Sequence, residues 1–202
     1  MLYTIVADAN HYRSLIWDDA QITRLVGEAD MELRIDMWNS PRSYENVFNE
    51  TLKVSFKPQS KAAEQLLIPD ISVFQGRLFL SPKAYNILEP IIKDDGEFLP
   101  VVYEQGDAYI FTPLNIAEKI NGLDKKLSRK NAWGDLENLA FHENRVKGWS
   151  LFRCEFDTFM SLQCRPDVRD AIGKADLKGV FFTEDLGNIF SNQFDDNIRD
   201  AN

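Results

Sequence analysis

Residues able to do chemistry are few and scattered in this sequence. His11 and His142 are its only histidines, and neither falls in the HxxxH or HExxH spacing that puts two imidazoles on one helix face to hold zinc. No metal site is expected. His142-Glu143 sets a base beside an acid, yet adjacent residues on a helix or strand point in different directions, so the pair reads as a solvated loop. Asp94-Asp95-Gly96-Glu97 gathers carboxylates around a glycine as calcium loops do, without the alternating ligands and terminal bidentate Glu of an EF-hand. A turn entering a hairpin accounts for it. Cys154 and Cys164 lie in apolar surroundings without CxxC spacing, which predicts buried free thiols rather than a disulfide framework or zinc knuckle. With no GxSxG elbow, P-loop or GxGxxG, the sequence offers no catalytic residue, no cofactor-binding residue and no metal ligand set.

The surrounding elements are easier to read. Residues 2–7 form a β-rich first strand, and apolar positions across 12–28 predict one or two short helices. Leu33-Arg34-Ile35-Asp36-Met37 and Leu52-Lys53-Val54-Ser55-Phe56 alternate apolar with polar, the pattern of half-buried strands in an antiparallel sheet. Residues 38–49 read as a loop or an irregular helix, and 57–65 as a polar connector. Leu78-Phe79-Leu80 precedes Ser81-Pro82, an N-cap followed by proline at the first helical position. The helix from Pro82 carries Ala84, Ile87, Leu88 and Ile91 toward the core, and Pro90 should end or kink it. Asp94-Asp95-Gly96 then turns the chain into residues 98–103, and Gln105-Gly106-Asp107 turns it again into 108–112. Further on, 116–127 predicts a short helix with Gly122 as its C-cap, 131–148 predicts loops, and 149–156 and 160–164 predict strands. Val168, Ala171, Ile172 and Ala175 mark an amphipathic helix, residues 180–183 a closing strand, and 191–202 a frayed polar tail. Together these predict an α+β fold, a mostly antiparallel or mixed sheet with several short helices packed on it, in a single domain over 1–202.

Several pieces in this order resemble a known bacterial family. They are Pro69-Asp70-Ile71, Leu78-Phe79-Leu80-Ser81, Glu97-Phe98-Leu99-Pro100-Val101, Tyr109-Ile110-Phe111 with Leu114-Asn115, Leu123-Asp124, Leu151-Phe152-Arg153 and Leu177-Lys178-Gly179-Val180-Phe181-Phe182. Their order and spacing resemble family eleven of the polymorphic-toxin immunity proteins, over roughly residues 68–183 of a family-like part spanning 66–190. Arg165 stands where that family tends to place a Ser or Asp cap before its last helix, and arginine is a poor N-cap. The resemblance implies a protein that binds a cognate bacterial toxin domain and neutralises it by covering its active or functional surface, without turnover of its own.

Composition is compatible with that expectation. With 202 residues and 44% hydrophobic content the chain can bury about 70% of its unfolded surface in one domain. Its 32 acidic and 23 basic residues give a net charge of −9, which argues against direct binding to nucleic acid or anionic membranes and suits a basic toxin, although an acidic balance also serves solubility alone. Residues 1–8 lack a basic n-region and a long apolar run, so a cytoplasmic address is expected. Nothing in the sequence sets an oligomeric state. Lys125-Lys126 and Arg129-Lys130 form one basic cluster, read as a solvated face beyond a helix end. Of the four tryptophans, Trp17, Trp38, Trp133 and Trp149, the second and third sit in polar segments and are candidates for exposure. Toxin contact is expected from Asp94, Asp95 and Glu97 beside the hairpin, with Trp38 as an aromatic anchor. The alternative is a carboxylate-based hydrolase or modification-reversing enzyme, whose mark would be a pocket of convergent carboxylates with raised pKa.

Overall fold

The computed structural model describes residues 1–27 and 40–186. The strand expected at 33–37, Trp38 and the tail 191–202 lie outside them. The fold is α+β with mostly antiparallel sheets. One sheet has four strands in the order β10-β11-β1-β12, all antiparallel, from Leu151–Phe152 (β10), Leu162–Cys164 (β11), Tyr3–Ala7 (β1) and Val180–Thr183 (β12). The other has six, in the order β2-β3-β6-β7-β5-β4, from Ile16–Trp17 (β2), Leu52–Ser55 (β3), Gly96–Tyr103 (β6), Gly106–Pro113 (β7), Arg77–Leu80 (β5) and Ile71–Phe74 (β4). Among the described residues its one parallel pair of strands is β3 with β6. The helices among the described residues are Asp19–Val26 (α1), Pro82–Ile92 (α2), Glu143–Val146 (α3) and Pro166–Lys174 (α4).

Alternation along the strands explains how the layers stack. On β5, Leu78 and Leu80 enter a core shared with Tyr3 and Ile5 of β1, Ala84, Leu88 and Ile92 of α2, and Val168 and Ile172 of α4. Phe79 points the other way, into a second core with Trp17, Tyr44, Leu52, Val54, Phe56 and Ile110. Successive side chains of a strand face opposite sides, so a strand covered on both faces is buried at every position, as β5 is; Leu78, Phe79 and Leu80 are apolar, and Arg77 at its start is buried although charged. Between β2 and β6 in the six-stranded sheet, β3 keeps the expected alternation, with Leu52, Val54 and the following Phe56 buried and Lys53 exposed. A third core joins Leu2, Ala117, Leu123, Leu139, Val146, Phe152 and Cys154.

Several local expectations shift. Ser81 caps α2 by accepting from the Ala84 N–H (3.3 Å), but the helix runs through Pro90 to Ile92, and its buried stripe is Ala84, Leu88 and Ile92. Ile87, expected inward, is 37% exposed. Between β6 and β7 the turn is Glu104-Gln105, with Tyr103 paired to Gly106, one residue earlier than the glycine suggested. Of the segment 12–28, the described residues 12–27 hold one helix, capped by Asp18 on the Gln21 N–H, after the short β2. At 117–120 only a 3-10 turn forms, and Asn121 rather than Gly122 takes the left-handed conformation (φ 52°). Gly122 is needed for another reason, since a Cβ there would lie 2.7 Å from Val146. The expected loops of 131–148 contain α3 and the strand Leu136–Asn138 (β9), which pairs with Arg129–Lys130 (β8) in a separate hairpin. No side chain of Arg165 caps α4; Pro166 supplies the first turn, and Asp167 accepts from the Val168 N–H (3.1 Å) and the Ser150 hydroxyl (2.9 Å).

Candidate functional site

The acidic turn after α2 divides by role. Asp94 is exposed, but Asp95 is only 5% exposed, which corrects the expectation that all three acids face solvent. One Asp95 oxygen accepts the backbone N–H groups of Ser150 and Leu151, each at 2.9 Å, and the other accepts the Asn115 side-chain amide at 2.7 Å. Burial pushes the carboxyl up to about 6 while these three donors pull it back down. Glu97 is also committed inward. Its carboxylate accepts the Tyr44 N–H (2.7 Å), the Glu45 N–H (3.2 Å) and the Ser43 hydroxyl (2.6 Å), tying the 43–45 loop to β6. Of the expected contact residues within the described chain, Asp94 alone presents itself to a partner.

Two buried guanidiniums escaped the sequence reading. Arg153 has no exposed surface, and its Nε donates to the Phe159 carbonyl (2.9 Å) while its Nη2 reaches the Gln75 carbonyl (3.1 Å). Its backbone adds a second clamp, donating to the Asn115 carbonyl and accepting from the Ala117 N–H, both at 2.9 Å. Arg77, 2% exposed, donates to the Ser40 carbonyl (3.0 Å). Burial lowers Arg153 to about 9, with Arg77's charge adding to the effect, and lowers Arg77 to about 10. Both stay protonated at neutral pH. Arginine in Leu151-Phe152-Arg153 gave no local sign of burial, because every side-chain acceptor it uses is a backbone carbonyl in another turn.

The reactive residue types stay apart. His11 contacts Asp8 (2.9 Å), while His142 stands 3.7 Å from Asp124. Asp124 accepts the Lys126 and Leu127 N–H groups, the first of which is the largest influence holding its carboxyl below the ordinary range. Asp124 and His142 line an open cleft of ≈ 670 Å³ with Glu118, Lys125, Lys126 and Arg145, but Glu118 is taken up by the Glu155 and Phe156 N–H groups at 3.0 Å. A second cleft, ≈ 520 Å³, is walled by Trp17, Val54, Val102 and Tyr103, with Lys53, Lys57, Asp18 and Glu104 at its margins. Among the described residues no three His, Cys, Asp or Glu side chains converge as metal ligands. Cys154 and Cys164 are buried free thiols whose pKa values burial pushes up, the reverse of what a nucleophile needs.

What the described surface does present is an aromatic on a stiff turn. Trp133, at the tip of the β8–β9 hairpin, is 87% exposed. Asn131 organises the tip: its Oδ1 accepts the Trp133 and Asp135 N–H groups, both at 2.9 Å, and its amide donates to Asp135 at 3.0 Å. No protein-family model matches the chain, and no curated protein matches it. No helix among the described residues is long and apolar enough to cross a membrane.

Proposed function

We propose that this chain is an immunity protein: it binds a cognate bacterial toxin domain in the cytoplasm and neutralises it by covering a surface the toxin needs, with no turnover and no cofactor. The observation that carries the reading is where the residues of the resemblance lie. Asn115 holds Asp95, Asp70 accepts the Lys178 N–H (3.0 Å), and Asp124 caps its own turn. Gly179 lies so close to Ile71 and Pro69 that a Cβ would come within 2.3 Å of both, and Arg153 joins the 75–77 and 159 turns. Each joins parts of the scaffold instead of converging on a reactive centre. Such a pattern suits a family that keeps a framework and works through its outer surface. A net charge of −9 would hasten encounter with a basic toxin.

The test is to purify this chain with the toxin domain encoded by the gene immediately upstream. Formation of a stoichiometric complex in which the toxin's activity is lost is the expected result. Independent migration of the two proteins, with toxin activity unchanged, would refute it.

A further inference from the structure

We propose, building on that reading, that the β8–β9 hairpin is the docking arm, and that its Trp133 enters an apolar pocket rimmed by carboxylates on the toxin. Exposure is the first ground. Burying a tryptophan removes roughly 150–250 Å² from water, so one left 87% exposed in a folded domain is a large unused source of binding energy. Leu127, 58% exposed, adds apolar surface at the base of the same arm.

Preorganisation is the second ground. The tip is closed by the Asn131 side chain, by the Asn131 N–H on the Asp135 carbonyl (2.9 Å) and by the Gly134 N–H on the Asn131 carbonyl (3.0 Å). At the base, the Ser128 hydroxyl exchanges hydrogen bonds with the Ala140 backbone (3.1 and 3.2 Å), and the Asn138 amide donates to the Leu127 carbonyl (2.7 Å). Little conformational freedom is left to lose when a partner closes over it.

Charge selects the occupant. Although the chain as a whole carries −9, residues 125–138 hold Lys125, Lys126, Arg129 and Lys130 against only Asp135 and Glu137. All four basic side chains are exposed, and Asp135 is tied back to Asn131. An arm of this sign is repelled by a basic surface and drawn to clustered carboxylates, such as those that line a hydrolytic cleft. The acidic remainder of the surface can still attract a toxin whose outer face is basic.

Binding of the upstream-encoded toxin domain by the parent, by Trp133→Ala, by Trp133→Phe and by a Lys125→Glu/Lys126→Glu/Arg129→Glu/Lys130→Glu variant would be measured by calorimetry at two salt concentrations. These side chains are exposed, so all four proteins should share one circular dichroism spectrum. Expected are a loss of about thirtyfold or more for Trp133→Ala, a smaller loss for Trp133→Phe, and loss of binding by the charge-reversed variant. No binding by the parent overturns both the reading and the arm. Parent binding that Trp133→Ala leaves unchanged overturns the arm alone. If Trp133→Ala instead abolishes self-association in sedimentation, or binding to a single-stranded oligonucleotide, the assignment to an acidic protein pocket is overturned.

Discussion

Asp95 shows how one side chain's role is set by what surrounds it. One of its oxygens accepts two backbone N–H groups at the start of β10, so Asp95→Ala strands both donors in the interior and should cost about 3 kcal/mol in a urea titration. Asp95→Asn keeps one oxygen for those donors and asks only that the Asn115 amide turn over. The pH dependence follows from the raised pKa. Burial favours the protonated carboxyl in the folded state, so that contribution is full below about 4, the unfolded value, and is lost as pH rises through about 6. The stability of the parent relative to Asp95→Asn should therefore fall between pH 4 and 6 and level off above. A difference that grew with pH across that window would mean that the N–H donors outweigh desolvation.

At the scale of elements, the hairpin from β4 to β5 carries a tight constraint. Its two turn residues, Gln75 and Gly76, both have positive φ (48° and 67°), as a two-residue hairpin of this twist requires. A Cβ on Gly76 would lie 2.5 Å from both the Arg153 Nε and the Phe159 carbonyl that it serves. Gly76→Ala thus combines left-handed strain with displacement of the buried guanidinium, and about 2–4 kcal/mol should be lost by chemical denaturation. An unchanged midpoint would show that Arg153 moves aside freely. Pro90 is the milder counterpart: exposed and close to the C-terminus of α2, it removes only one N–H from the ladder, which is why the helix continues past it.

Across the whole molecule the question is whether the three cores fold together. Cys164 lies in the core between the two sheets and Cys154 in the third core, both without exposed surface. Burial keeps both thiols protonated, so a thiol reagent should reach them only on unfolding. In pulse labelling across a urea series the two should become reactive at one midpoint, as a single cooperative unit demands. Two midpoints would reveal that the third core opens by itself.

What the sequence determined by itself is whatever short-range signals govern: Ser81-Pro82 as a helix start, the buried Leu52, Val54 and Phe56 face of a half-buried strand, the hairpin near Gly106, and the α+β class these imply. Such features depend on residues within a turn or two of one another, so composition and spacing carry them. The candidate site was less legible. Asp94, Asp95 and Glu97 are adjacent and alike in sequence, yet partners 55 and 53 positions away turn Asp95 toward Ser150 and Glu97 toward Tyr44 and leave only Asp94 outside. Arg153 reaches Gln75 across 78 positions, and no local pattern foretells that. The β8–β9 hairpin was hidden for the opposite reason, since strands of two and three residues are too short to show a period, and their pairing is visible only in three dimensions. Burial and exposure of polar groups belong to the tertiary structure because each depends on which distant backbone donors and acceptors the fold brings into reach.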